Sequence, residues 1–316
     1  MHPESPDNGP IGIVRNPVAG SASARARWPA ILAAFRGGFP AIDLRETSGP
    51  GQTARLARDL ALAGADPVVA VGGDGTIGEA VDGLMAADAP ARPAFSFVMQ
   101  GTGSDFSRNF PGISHDETLP QALAHAPERP LDIGRLSFVD ADGRGGTRHF
   151  VNIASFGVSG PTVRAVNAAR RGRWLPGPVL FLWHAVMAIL RYRPDRVRIR
   201  LDGEEIYSGG ITVVAVANGA WFGGGMKVAP DADIADGWFD VVIVREKTTF
   251  GILSVMHRIY SGRHVIDPDV SIHRARLAEV EPLEGAAPAL LDCDGEAPGT
   301  IPARFEIVPA ALRLKL

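Results

Sequence analysis

The feature that most limits what this chain can fold into is a valine run that stops at glycines. It reads Pro67-Val68-Val69-Ala70-Val71, then Gly72-Gly73-Asp74-Gly75-Thr76-Ile77-Gly78-Glu79. An unbroken apolar run of this kind reads as a parallel strand buried on both faces. Beyond the glycines, Ile77, Val81, Leu84 and Met85 recur at helical spacing. Strand, glycine turn and helix put backbone N–H groups and a helix N-terminus at one point, which attracts phosphate. Glycine suits the turn because no Cβ blocks the approach and because positive φ is open to it. Asp74 is the odd member, since a bare carboxylate repels phosphate. It fits if it meets Mg²⁺, orients a hydroxyl or takes a proton. A capping Asp in a structural turn is the plainer alternative.

The spacing Gly73-x-Gly75-x-x-Gly78 also satisfies the dinucleotide fingerprint. A Rossmann site wants an acid closing the next strand, about 20 residues on. That strand, Phe95–Met99, ends instead at Gln100, and a second glycine turn follows, Gly101-Thr102-Gly103-Ser104-Asp105-Phe106. Such a turn suits a second contact to a polyphosphate better than a ribose clamp. The three lysines, Lys227, Lys247 and Lys315, stand against 29 arginines, and none falls in the first 226 residues. The P-loop lysine and the protein-kinase strand lysine are therefore absent from the phosphate-binding half. Any ATP must be held there by backbone amides, arginine and metal.

At 316 residues the chain is long enough for two domains. A net charge of −3 gives no global attraction to nucleic acid or to an anionic membrane, so any such attraction is local. The single cysteine, Cys293, excludes an internal disulfide and fits a reducing cytosol. Residues 1–10 read as a loose polar tail. From Ile11 to about residue 130 the pattern alternates strand and helix: Ile11–Arg15, a helix over Ala24–Phe35, Ala41–Arg45 ending at Thr47, a helix over Gly51–Ala63, then the two strands above. This predicts an α/β domain, a parallel sheet covered by helices. Its turns near Asn16, Thr47, Gly72 and Gly101 fall on the carboxyl side of the strands, where open α/β sheets bind ligands.

From residue 131 to 302 the reading is an antiparallel β-sandwich: a hairpin of Leu131–Val139 with Arg148–Ala154, then strands at Arg196–Leu201, Ile211–Ala217, Trp238–Val244, His264–Ile272 and Ala289–Leu291. Residues 303–316 hold a terminal strand that can return to the first domain. Two helices interrupt, about Pro178–Tyr192 and Thr248–Ser261. The first is too short to span a bilayer. Arg164 to Arg200 holds nine arginines against one acid, Asp195. An apolar helix flanked in this way can lie at a membrane surface; a core helix with solvated flanks is the alternative.

Four motifs in order now resemble the diacylglycerol kinase catalytic-domain family of lipid kinases, in its compact bacterial form, with sphingosine kinases as relatives. They are Asn16-Pro17-Val18-Ala19-Gly20, Gly72-Gly73-Asp74-Gly75-Thr76, Gly101-Thr102-Gly103-Ser104-Asp105-Phe106 and Asp294-Gly295-Glu296. Asn152–Gly157, Asn218-Gly219, Phe222–Met226 and Ala229–Asp233 with Asp236-Gly237 are similar to the family as well. The resemblance implies an α/β domain like that of NAD kinases, a β-sandwich domain and an active site between them. It implies ATP-Mg²⁺ as donor and a lipid hydroxyl, diacylglycerol-like, as acceptor. By motif match the nucleotide contacts are Asn16 to Gly20, Thr47, Gly72 to Gly78 (Ile77 included), Thr102 and Asp105. Glu296 is implied as the base, with Asp74 the other candidate. The matching acidic loop implies Mg²⁺ on the Asp236 carboxylate and the carbonyls of Asp233 and Trp238. Gly78 and Ser104 stand where the family more often has Asn.

The expected partners are thus ATP and a lipid at a membrane surface, with no nucleic acid. The expected location is the cytoplasm, at the inner face of the membrane, and a homodimer stays open. A soluble-substrate kinase of the NAD kinase type shares the Gly-Gly-Asp-Gly chemistry but leaves Gly101–Phe106, Asp-Gly-Glu and the arginine-flanked helix unexplained. A Rossmann oxidoreductase lacks its ribose acid. A non-catalytic nucleotide or lipid sensor differs only in activity.

Overall fold

The computed structural model describes residues 10–89, 92–101, 104–170, Met187 and 192–316. The expected tail over residues 1–9, Thr102 and Gly103, and the Pro178–Leu190 run apart from Met187, with Arg171, Arg173 and Arg191, lie outside the described residues. The chain divides into two compact units. One comprises the described residues up to Asp132 with Pro309–Leu316, the other Ile133–Val308.

In the first unit the elements are β1 (Ile11–Arg15), α1 (Ala22–Ala26), α2 (Trp28–Gly38), β2 (Ile42–Glu46), α3 (Thr53–Leu62), β3 (Val68–Gly72), α4 (Asp74–Met85), β4 (Ala94–Met99), a 3-10 turn at Phe106–Asn109 and α5 (Leu119–His125). The strands are parallel in the order β2-β1-β3-β4. Every residue of β3 and β4 is buried, as their unbroken apolar runs require. Ile11, Ile13, Val69, Val71 and Val98 pack with Trp28, Ile31 and Phe35 of α2 and with Leu119 and Leu123 of α5. The single helix expected over Ala24–Phe35 is two helices. Pro29 has no N–H to continue a helical ladder, so it sits at the start of α2 and breaks the run after Ala26.

The second unit is antiparallel. It contains β5 (Arg129–Val139, entering from the first unit), β6 (Gly145–Phe150), β7 (Ile153–Gly157), α6 (Ser159–Arg170), β8 (Asp195–Leu201), β9 (Glu204–Ala217), β10 (Trp221–Phe222), β11 (Met226–Lys227), β12 (Phe239–Arg245), α7 (Thr249–Ile259), β13 (Val270–Ala275), β14 (Leu277–Pro282), β15 (Leu291–Cys293) and β16 (Thr300–Leu314). Strand β9 is the hub: its first half pairs with β8 and its second with both β12 and β7. The core is built from Phe150, Phe156, Phe239 and Phe305 with the inward residues of β8, β9, β12 and β14. Phe150 stacks on Phe239 and Phe156 on Phe305. The last residues of β16 leave this unit and pair parallel to β4, Arg313 with Ala94 and Leu314 with Phe95.

Two expectations need correction here. The strand expected at His264–Ile272 is a 3-10 turn over Arg263–Ile266 followed by β13, because Gly262 at φ 71 redirects the chain and His264 turns inward to bond the Val228 carbonyl at 2.9 Å. Arg148–Ala154 is not one strand but β6 and β7, broken at Val151-Asn152 where backbone amides turn to Asp294. Helix α6 escapes the sequence reading because Gly160-Pro161 looks like a breaker. Proline is tolerated in a first helical turn, and there it lies.

Candidate functional site

Three loops meet at the carboxyl edge of the first unit's sheet. The first, Asn16 to Ser21, follows β1. The Asn16 side chain accepts the Val18 N–H at 3.2 Å, an Asx turn that fixes Asn16-Pro17-Val18-Ala19, and Val18 is left 79% exposed. Gly20, at φ 76, closes it. A Cβ there would lie 1.6 Å from the Gln100 carbonyl, so this loop lies directly against the end of β4. The second loop is the β3–α4 turn. Gly72 closes β3 beneath the Thr76 side chain, where a Cβ would lie 2.3 Å from the hydroxyl. Gly73 is the N-cap of α4. The third loop follows β4, and here two backbones touch: a Cβ on Gly101 would come within 2.6 Å of the Gly73 Cα. Only glycine allows that crossing.

Asp74 ties the second loop to the third. Its carboxylate accepts the Phe106 N–H at 3.1 Å, and Phe106 anchors the third loop by packing on Phe97 and Phe110. Asp105 is buried and faces Arg108 at 3.7 Å. Ser104 sits at φ 54, a conformation Asn adopts more readily than Ser. Thr76, Ile77 and Gly78 are buried in α4, whereas Gly75 is exposed, and a Cβ added to it would meet nothing within 4 Å. An α-helix has no internal acceptors for its first N–H groups. Thr76 N–H is satisfied by the Gly73 carbonyl at 2.9 Å, so the open face of this N-terminus is at Asp74 and Gly75. Thr47, at the end of β2, is buried and donates its N–H to the Arg15 carbonyl at 2.9 Å, two strands from Gly72. Thr102 lies outside the described residues.

Glu296 belongs to the second unit. Cys293 and Glu296 exchange both backbone hydrogen bonds, at 2.8 and 2.9 Å, around Asp294 at φ 46 and Gly295 at φ 85. Positive φ at both central residues is the type I′ pattern of a tight hairpin. The Asp294 carboxylate accepts three successive N–H groups, from Val151 at 2.8 Å, Asn152 at 3.2 Å and Ile153 at 2.9 Å. The Gly295 peptide is gripped from both sides. Its N–H goes to Asp292 at 2.9 Å, and its carbonyl accepts from Asn167 of α6 at 3.0 Å. Asn152 and Asn218 continue the frame, the first donating to the Trp221 carbonyl and the second to the Val151 carbonyl at 2.7 Å. An exposed carboxylate thus rides on a rigid turn, an arrangement that can accept a proton without rebuilding its support.

Asp292, which the sequence does not single out, lies beneath this turn. It is buried, and Ser155 donates to it at 3.2 Å while lying 2.9 Å from Ser159. Burial pushes its carboxyl up to about 7, with the neighbouring Asp294 and Glu296 charges adding to the rise and the Gly295 and Ser155 hydrogen bonds opposing it. The available signal is an acid at the end of an apolar run, two residues before Asp294-Gly295-Glu296, at Asp292 in β15.

In the acidic loop, Asp233 accepts the Ala235 N–H at 3.1 Å and Asp236 the Trp238 N–H at 3.0 Å. The second Asp236 oxygen is paired with Arg274, so a cation there has to displace a guanidinium. Arg274 and Arg276 lie over the Trp238 ring at 5.4 and 4.5 Å. Burial pushes the adjacent Asp240 carboxyl up, and Arg274 pulls it back. Among the described residues no group of three or more His, Cys, Asp or Glu side chains could hold a metal ion. Nor, among them, is any helix long and apolar enough to cross a membrane.

Known proteins share this pattern. A family model described as the diacylglycerol kinase catalytic domain matches residues 10–136, and one described as the YegS C-terminal NAD kinase beta sandwich-like domain matches residues 152–316. The chain is 28% identical to the diacylglycerol kinase of Bacillus subtilis (strain 168) over 93% of its own length and 91% of that protein's. It is 30% identical to a "Probable lipid kinase YegS-like" protein of Xanthomonas euvesicatoria pv. vesicatoria (strain 85-10), over 87% and 86%. The crystal structure of a diacylglycerol kinase from Bacillus anthracis str. Sterne superposes with a TM-score of 0.69 at 18% identity, over 96% of each chain, which establishes a shared fold. An N-terminal α/β unit with a parallel sheet and a C-terminal antiparallel β-sandwich-like unit, matched along nearly their whole length, place the chain: it belongs to the bacterial diacylglycerol kinase catalytic-domain family of lipid kinases.

Proposed function

We propose that this kinase transfers the γ-phosphoryl group of ATP, bound with Mg²⁺, to the hydroxyl of a lipid, diacylglycerol-like in its chemistry. The observation that carries the reading is the meeting of three glycine loops at one sheet edge, with Gly73 and Gly101 in backbone contact beside the open first turn of α4. Phosphoryl transfer passes through a loose transition state and needs mainly positioning and charge neutralisation. ATP-Mg²⁺ supplies the transferable group. Backbone N–H groups at Gly73 to Gly75 meet phosphate oxygens, a task that needs no lysine. Asn16 to Gly20 shape the neighbouring wall, and Thr47, Thr102 and Asp105 complete the nucleotide contacts. Asp74 fits a metal because one of its oxygens is committed to Phe106 N–H while the other has no hydrogen-bond partner among the described residues. Glu296 takes the acceptor's proton. A second cation at Asp236, with the Asp233 and Trp238 carbonyls, is part of the proposal only in competition with Arg274.

The relatives named as diacylglycerol and lipid kinases support the acceptor class. The test is incubation of the purified chain with labelled ATP, Mg²⁺ and a total lipid extract, followed by identification of the labelled product. A labelled lipid is the expected outcome. Label found only on a polar alcohol such as NAD overturns the acceptor, and no label on any acceptor returns the chain to a sensor role.

A further inference from the structure

Helix α7 is held by one face. Ile252, Val255 and Ile259 are buried, and at 100° per residue they share one side. Phe250, Leu253, His257 and Tyr260 fall within an arc of about 80° on another side. Phe250 is 87% exposed, Leu253 41% and Tyr260 50%. The 3-10 turn Arg263–Ile266 packs against α7 and adds Ile266, 73% exposed, and Val265. Scattered exposed apolar residues are ordinary; several gathered on one helix and the turn packed against it mark a surface that meets something.

The charge around this surface narrows what it meets. From Arg245 to Asp269 there are four cations, Arg245, Lys247, Arg258 and Arg263, against three acids, Glu246, Asp267 and Asp269. Two of the cations are spent on Asp267 and Asp269: Lys247 reaches them at 2.8 and 2.6 Å, and Arg258 lies 3.7 Å from Asp267, which leaves Arg245 and Arg263 against Glu246. Arg245 and Arg263 carry no ion pair among the described residues. An apolar stripe rimmed by cations matches the boundary between acyl chains and anionic headgroups. Two copies laid face to face on this surface would set cations against cations.

We propose that α7 and the turn after it form a docking surface for an anionic lipid bilayer, with Phe250 and Ile266 entering the apolar boundary and Arg263 meeting headgroup phosphates. The assignment rests on the reading of the acceptor as a lipid, and its test keeps the two apart. The full chain is co-sedimented with phosphatidylcholine vesicles and with phosphatidylcholine–phosphatidylglycerol vesicles. The expected result is binding that favours the anionic vesicles and weakens with salt. Phe250→Ser with Ile266→Ser should weaken it by roughly tenfold or more, the scale of one or two buried apolar groups, and separately Arg263→Glu should weaken it by roughly tenfold, the scale of reversing one charge at an anionic surface. Their melting temperatures, and their turnover of a short-chain diacylglycerol in dispersed form, should match the parent. Variants that sediment like the parent overturn the proposal. So does a parent dimer that the double variant makes monomeric with vesicle binding unchanged, since the surface is then a contact between copies. If no lipid accepts phosphate but vesicle binding still depends on Phe250 and Ile266, the acceptor reading falls and the docking surface stands.

Discussion

Asp292 and Glu296 share one turn and do opposite jobs. Asp292 is buried and pins the Gly295 N–H, whereas Glu296 is exposed. A carboxyl raised from 3.8 to about 7 by burial binds its proton more tightly folded than unfolded. Between pH 4 and 7 the folded state therefore holds more protons than the unfolded state, and stability falls as pH rises through that window. Asp292→Asn keeps an acceptor for Gly295 and cannot ionise. From pH 5 to 7 its denaturation midpoint should decline less than the parent's; an unchanged slope would reassign the titration. At Glu296 the expectation concerns rate. Glu296→Gln leaves both backbone bonds of the turn in place, because neither uses the side chain. It should fold, bind ATP normally and lose turnover by roughly 10²–10⁴-fold, the usual worth of a general base. Near-parental turnover would move the role to Asp74, and failure to fold would favour a structural turn.

At the scale of the element, the glycines of the β3–α4 turn are not equivalent. Gly75 is exposed and faces open space, whereas Gly72 lies under Thr76 and Gly101 against Gly73. Gly75→Val should keep the unfolding free energy within about 2 kcal/mol of the parent, the helix cost of replacing glycine being small, and abolish ATP binding by calorimetry. Gly101→Val should unfold or loosen the unit, since backbone at 2.6 Å cannot yield as a side chain can. Equal ATP affinity in Gly75→Val would displace the nucleotide from this turn. These loops were legible in the sequence because their chemistry is local: strand, glycines and helix lie within a dozen residues. The support of Glu296 was not, because Ser155 meets Asp292 across 137 residues and Asp294 meets Val151 across 143. The role of β9 was legible only in part: its first half pairs with its neighbour β8, whereas its second half pairs with the non-adjacent β7, Ile153 with Ala217. His264–Ile272 misled because Val265 and Ile266 look outward, beside α7, while only Val270 beyond them enters the core.

On the scale of the whole molecule, β16 has residues in both units. At Ala310, φ 46, the strand bends, and the Ala310 N–H goes to Asp132 at 2.6 Å. Beyond the bend Leu312 and Leu314 are buried, Lys315 N–H bonds the Phe95 carbonyl at 2.9 Å, and Arg313 reaches Asp66 and Glu128, each at 2.9 Å. Two changes separate packing from charge. Arg313→Ala removes ion pairs whose members are all about 40–46% exposed, and such pairs are worth about 1 kcal/mol or less. Truncation after Val308 removes two buried leucines, worth about 1.5–3 kcal/mol each, and bares the edge of β4. That loss, about 3–6 kcal/mol from the leucines alone, reaches the lower end of the whole stability of a typical domain, about 5–15 kcal/mol. Hydrogen exchange of the truncated chain should therefore show β3 and β4 losing protection, and ATP binding failing with them, while β8, β9 and β12 keep theirs. Arg313→Ala should leave all five strands protected. If truncation instead lowers protection evenly across both units, they unfold as one cooperative body and the last strand is not a fastening of the first unit alone. If β3 and β4 stay protected, the sheet closes without β16, and the stability of the glycine-loop edge comes from α2 to α5 by themselves.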